Sequence, residues 1–139
     1  MERHLINVED SKRIFEDMEH IIESKMCYDN VFHVMSYNHE KFNSGEWQIA
    51  YGFVTAIDGI MARHAFIVDS EGRAIDPTLA KSEHDLSTRE YVSFKLLKMD
   101  DYLDILMEHK REPALYNAFP EEEKEAFDWA FENHIFLCK

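Results

Sequence analysis

Apolar positions near the start of the chain recur at helical spacing. Ile14, Phe15, Met18, Ile21 and Ile22 form one set, and Cys27, Val31, Val34 and Met35 form a second. Asn7 with Asp10 three residues on has the pattern of an N-cap opening the first set. No Gly or Pro occurs before Gly45, so two helices with a bend near Ser24 to Cys27 and one long helix over residues 11–37 are both compatible with the pattern. His39 to Gly45 reads as a polar loop around Asn43-Ser44-Gly45.

The pattern then changes to strand composition. Trp47 to Ile57 carries Ile49, Tyr51, Phe53, Val54, Thr55 and Ile57, and Asp58-Gly59 signals a turn. Ala62 to Asp69 is apolar on nearly both faces, as a central strand should be. Ser70-Glu71-Gly72 reads as a turn and Arg73 to Pro77 as a short strand ended by proline. Leu79 to Arg89 is polar and reads as irregular, and Tyr91 to Met99 gives a fourth strand. Asp100-Asp101 opens a helix through Tyr102, Leu103, Leu106 and Met107, with two acids suited to the positive end of its dipole. Pro113 and Pro120 each sit where a helix could begin, and the last helix runs from Pro120 through Phe127, Ala130 and Phe131. Helices, then a meander, then helices predict an α+β domain. The expectation is an antiparallel sheet of three to four strands packed against an N-terminal helix that bears Cys27, with C-terminal helices on another side.

Composition narrows the function classes. A chain of 139 residues with 45% apolar and 13% aromatic residues fits one folded domain, spanning residues 1–139. Its core is expected over about residues 20–99, with a helical part over 100–139. The net charge of −13 is unfavourable for direct binding of nucleic acid or an anionic membrane surface. The charge is uneven: −5 over residues 1–46, −1 over 47–99 and −7 over 100–139. The nearly neutral middle also holds Gly52, Gly59 and Gly72, which points to it as the place for a chemical site. No apolar run approaches the ~18 residues of a membrane span, and Met1 to Asn7 has no secretory character. With only Cys27 and Cys138, a disulfide scaffold is not expected, and the predicted compartment is the reducing cytoplasm.

The chemistry-bearing residues follow from hairpin register. If Ser70, Glu71 and Gly72 form a three-residue loop, Asp69 opposes Arg73 and Phe66 opposes Asp76. His64 and Asp76 then share a face as diagonal neighbours, about 7–8 Å apart by backbone. A two- or four-residue loop would put them on opposite faces. An imidazole facing a carboxylate is half of a nucleophilic site, and Cys27 is the candidate thiol. At the first turn of the second helix, unpaired N–H groups would stabilise a thiolate there. Cys27 would attack an acyl carbon, His64 would take and return the proton, and Asp76 would orient the ring. The backbone N–H of Cys27 would hold the oxyanion.

Each residue also has a bland reading. Cys27 shares a face with Val31 and Val34 and could be core, and on one continuous helix it would lie mid-helix. His64 could be a core histidine bonded to backbone, and Asp76 before Pro77 could cap a turn. Tyr28, Phe32 and Tyr37 could line a pocket or fill the core. The acids Glu121, Glu122 and Glu123 read as a solvated first turn. His4, His20, His33, His39, His84, His109 and His134 show no metal-ligand spacing, so neither a metal nor another cofactor is expected.

Tyr51-Gly52-Phe53-Val54, His64-Ala65-Phe66 and Asp76-Pro77-Thr78, following Cys27 in that order, resemble the transglutaminase-like core of the papain-type superfamily. The resemblance covers roughly residues 20–80, with Phe66 where that family usually has Trp. It implies a Cys27–His64–Asp76 triad and thiol-dependent acyl chemistry: amide or ester hydrolysis, or acyl transfer, on an acyl-bearing protein, peptide or small molecule. The competing expectation is a non-catalytic acidic binding or inhibitory protein, whose C-terminal third engages a basic or nucleic-acid-binding partner.

Overall fold

A computed structural model describes the chain apart from Asp58, His84, Tyr116, Lys139 and the side chain of Ile57. The elements are β1 (Glu2–His4), α1 (Val8–Asp17), α2 (Cys27–Tyr37), α3 (His39–Asn43), β2 (Gln48–Ile57), β3 (Ile60–Val68), β4 (Ala74–Ile75), α4 (Pro77–Ser82), β5 (Tyr91–Leu97), α5 (Met99–Glu108), α6 (Pro120–Glu132) and β6 (Phe136–Cys138). The fold is α+β, and no described helix is long and apolar enough to cross a membrane.

The sheet is larger than the expected three to four strands and is not purely antiparallel. It has six strands in the order β1-β5-β2-β3-β4, with β6 joining β3 in parallel beside Ile60, Met61 and Ala62. β1 and β6 have three residues each, too few for a period of two to declare itself in sequence. They exist as strands because β5 and β3 offer open edges to pair with.

Local chemistry explains the helix starts. The Asn7 side chain accepts from Asp10 N at 3.0 Å and caps α1. The chain then breaks at residues 18–26, where Lys25 turns it through φ 64°, and α2 starts at Cys27. The two-helix alternative therefore holds. The expected polar loop at His39 to Gly45 is a correction: residues 39–43 form a short helix because Phe42 is buried against Trp47. The irregular reading of Leu79 to Arg89 is corrected in part, since α4 covers residues 77–82. Pro113 starts no helix, whereas Pro120 does. Of the expected Asp58-Gly59 turn, Gly59 is a turn residue with φ 77°, while Asp58, like His84, lies outside the described residues.

The β3–β4 register is set by a side chain inside the turn. Asp69 Oδ1 accepts from Glu71 N and Arg73 N, both at 2.9 Å, while Oδ2 accepts from Asn7 Nδ2 at 3.1 Å. Gly72 takes φ 77°, the left-handed conformation that this loop length requires. Val68 therefore opposes Ala74, and Ile67 opposes Ile75. The strand is shorter than the expected Arg73 to Pro77 because Asp76 turns away to cap α4.

Gly52 has a packing reason. It lies in β2 between β3 and β5, next to a register shift, and a Cβ there would sit 1.9 Å from Val92 O. No side-chain rotation relieves a clash with backbone. Gly52→Ala is expected to destabilise by about 2–3 kcal/mol, read from urea unfolding midpoints. A variant as stable as the wild type would show that β5 can yield.

α2 packs on β3, and its apolar residues Val31, Val34 and Met35 join Ile14, Ile22, Ile49, Tyr51 and Ile67 in the main core. A second cluster unites Ala50, Val54, Phe66, Val68, Ala74 and Tyr91. α6 covers a third, where Ala126 and Ala130 meet Phe53, Met61, Val92 and Leu137. Glu123 is a correction to the solvated reading of its acidic run. It is buried and pairs with Arg63 of β3 at 2.5 Å.

Candidate functional site

His64 stands in β3 at a stretch between its pairings with β4 and β6. Its Nε2 lies 2.8 Å from Asp76 Oδ2, with both side chains buried. The diagonal juxtaposition expected from a three-residue loop is therefore present. Nε2 is engaged by the carboxylate, which leaves Nδ1 as the ring nitrogen open to another partner. Phe66 stacks beside the His64 ring at 6.3 Å between centroids, and Tyr91 flanks it at the same distance. These rings exclude water from the pair and fix the plane of the imidazole.

Asp76 has two jobs at once. Its Oδ1 accepts from Leu79 N at 3.2 Å and caps α4, as the turn-capping reading expects. Its Oδ2 accepts from His64 and from Tyr91 Oη, the latter at 2.6 Å. Its backbone N–H donates to Ser11 Oγ at 2.9 Å, and Ser11 donates in turn to the Asn7 carbonyl at 2.7 Å. Burial alone would raise the Asp76 carboxyl, but the charge of His64 and the donors from His64, Tyr91 and Leu79 N hold it below the usual carboxylate range. Burial alone would lower His64. The Asp76 charge and hydrogen bond outweigh it, with help from Cys27, and push the imidazole up to about 10.

Cys27 is the first residue of α2. It is 8% exposed, lies in the main core, and adds to the upward push on the His64 imidazole. The structure brings His64 and Asp76 into direct contact, while Cys27, placed in the main core as its bland reading expected, bears on the ring from the start of α2. Cys27 and Cys138 are both free, the first buried and the second exposed, so no disulfide joins them. The first-turn N–H groups of α2, which starts at Cys27, have no intrahelical acceptor.

The position of Cys27 rests on a clamp that sequence reading did not reveal. Asn30 Nδ2 donates to Thr78 Oγ1 at 2.9 Å and to Glu23 O at 2.7 Å, and its Oδ1 accepts from Glu23 N at 3.1 Å. A buried asparagine therefore ties the start of α2 to the start of α4, which Asp76 caps. Asn30 in an otherwise apolar helical face was the one available signal. Tyr91 and Ser11 gave no signal at all, because their partners lie 15 and 65 residues away in sequence.

A cleft of about 360 Å³ lies at the start of α2, lined by Met26, Tyr28, Asp29, Arg111, Pro113 and Ala114 but by none of Cys27, His64 and Asp76. Tyr28 stacks on Tyr51, whose hydroxyl donates to Pro113 O and anchors that side of the cleft. Phe32 packs against the core, whereas Tyr37 is 65% exposed and plays no part in this cleft. A larger hollow of about 700 Å³ lies at the far end of β2 and β3, around Thr55, Met61 and Arg89. It too contains none of the three residues. Among the described residues no group of His, Cys, Asp and Glu is arranged to hold a metal ion. No protein-family model, curated protein or solved structure matches the chain.

Proposed function

We propose that the protein performs thiol-dependent acyl chemistry, hydrolysing an amide or ester or transferring its acyl group, within a transglutaminase-like, papain-type core. The observation that carries the reading is the His64–Asp76 pair, bonded at 2.8 Å with both side chains buried; Cys27 at the head of α2 supports it by helping to raise the ring. In this reading Cys27 is the nucleophile and His64 carries its proton. The thiolate sulfur attacks the acyl carbon, and the carbonyl electrons move to oxygen. First-turn N–H groups of α2 receive the resulting oxyanion. Collapse of that intermediate expels an amine or alcohol, which takes the proton from His64. Water, or an acceptor amine or alcohol, then attacks the thioester while His64 removes its proton, and the thiolate is restored. Asp76 holds the ring in one orientation throughout and stabilises its positive charge. The substrate is an acyl-bearing protein, peptide or small molecule that reaches the cleft beside Met26 and Tyr28, in a cytoplasmic setting.

Alkylation by iodoacetamide tests this without knowledge of the substrate. At pH 6 Cys27 is expected to react faster than exposed Cys138, and His64→Gln is expected to slow Cys27 by about 100-fold. Peptide mapping by mass spectrometry reads both rates. Cys138 reacting first, or a His64→Gln protein labelled at Cys27 like the wild type, would reject the triad. The acidic binding reading would then replace it.

A further inference from the structure

We infer that Tyr91 is a fourth, positioning member of this site, whose hydroxyl holds Asp76 in the ionised form and orientation that His64 requires. The inference rests on the triad reading above. Tyr91 Oη lies 2.6 Å from Asp76 Oδ2, the same oxygen that His64 Nε2 approaches at 2.8 Å. That oxygen thus receives two donors from two strands, β5 and β3, and the other oxygen receives Leu79 N from α4. The carboxylate has no freedom to rotate without breaking a bond. Tyr91 is itself 1% exposed and wedged edge-on against Phe66 at 5.1 Å, so its ring is held by packing before its hydroxyl is used.

The phenol acts only as a donor. Burial, then the adjacent Asp76 charge, push its own ionisation far above the working range. A donor to an ionised, buried carboxylate stabilises the charged form over the protonated one. The other groups facing Asp76 act in a known sense. His64 from β3 is cationic and favours the carboxylate. Arg89, ahead of β5, also feels the Asp76 charge, while Glu83, beyond α4, bears on Tyr91 and is paired with Arg89. Cys27 from α2 acts through His64, and α1 contributes only the uncharged Ser11 hydroxyl. Removing the phenolic hydroxyl therefore leaves the charges in place and deletes one donor. Asp76 then takes up its proton at higher pH, and the His64 charge that it supports is lost with it.

The test is the pH profile of Cys27 alkylation by iodoacetamide in the full chain. Tyr91→Phe keeps the ring and is expected to move the acid limb up by about one pH unit. Replacing Tyr91 with 3-fluorotyrosine, a stronger donor of nearly the same shape, is expected to move it down. Ser93→Ala serves as the structural control. It deletes a buried hydroxyl on the same strand, bonded to His4 at 2.8 Å, and is expected to leave the limb where it is. A Tyr91→Phe limb that coincides with the wild type, or a Ser93→Ala limb that moves equally, overturns the positioning role while leaving the triad intact. A wild-type Cys27 that reacts no faster than Cys138 overturns both. If Tyr91→Phe does not fold, the fluorotyrosine protein decides the question alone.

Discussion

Asp76→Ala is expected to lower the unfolding free energy by about 3–5 kcal/mol and to abolish the preferential reactivity of Cys27. The side chain is fully buried and takes hydrogen bonds from His64, Tyr91 and Leu79 N. Alanine leaves an imidazolium without its counter-charge, a phenol without an acceptor and α4 without its cap. A lost cap alone costs about 1 kcal/mol, and a buried charge stripped of its partner costs several. Urea unfolding with iodoacetamide labelling reads both effects. A loss under about 1 kcal/mol would mean that the pair is not ionised in the folded state.

The same pair makes stability depend on pH in a direction that can be worked out. His64 is raised from 6.5 to about 10, so its contribution is complete below pH 6.5 and disappears as pH rises through about 10. Asp76 is lowered from 3.8, so its contribution is complete above pH 3.8 and disappears as pH falls through its depressed value. The advantage of the wild type over Asp76→Asn is therefore greatest between pH 3.8 and 6.5 and shrinks towards pH 10. An advantage that stays level from pH 5 to about 10 would contradict a charged pair.

Glu123→Ala is expected to cost about 3–5 kcal/mol for a related reason, at a place with no part in the chemistry. Glu123 in α6 meets Arg63 at 2.5 Å, with side chains 10% and 4% exposed. Arg63 lies on the face of β3 opposite to His64, beneath α6 and beside the Phe94 ring. Removing the carboxylate takes an ion-pair partner from a guanidinium in a poorly hydrated site. Because both ions were dehydrated on folding, replacing the pair together by Met at 63 and Leu at 123 is expected to recover most of the loss. Thermal melts of the single and double variants check this. A double variant no more stable than Glu123→Ala would show that the pair is net stabilising. Cys27 alkylation is expected to be unchanged throughout.

Much of the site was legible because short-range chemistry placed it. Asn7 with Asp10 marked the start of α1, and Ser70-Glu71-Gly72 marked a loop whose length dictated which face Asp76 would share with His64. These are contacts over a few residues, where one side chain satisfies nearby backbone groups and few alternatives compete. The helical stripe through Cys27, Val31 and Val34 likewise predicted a buried face. It could not say whether the helix began at Cys27, because Lys25 adopts a left-handed turn that no Gly or Pro announces.

What remained hidden involves partners chosen across long stretches of chain. Asn30 reaches Thr78, Ser11 reaches Asp76, and Arg63 reaches Glu123, each contact specified only once the layers are stacked. The three-residue strands at either end have too little pattern to be read, and become strands by pairing with an existing edge. By itself, the sequence determined an α+β chain with a helix-borne thiol and a histidine and aspartate sharing one face. Only the tertiary structure decided that the ring bonds a buried Asp76, and that a tyrosine closes the network behind it. Local bonds are encoded by spacing along the chain, whereas distant ones depend on which surfaces the whole core brings into register.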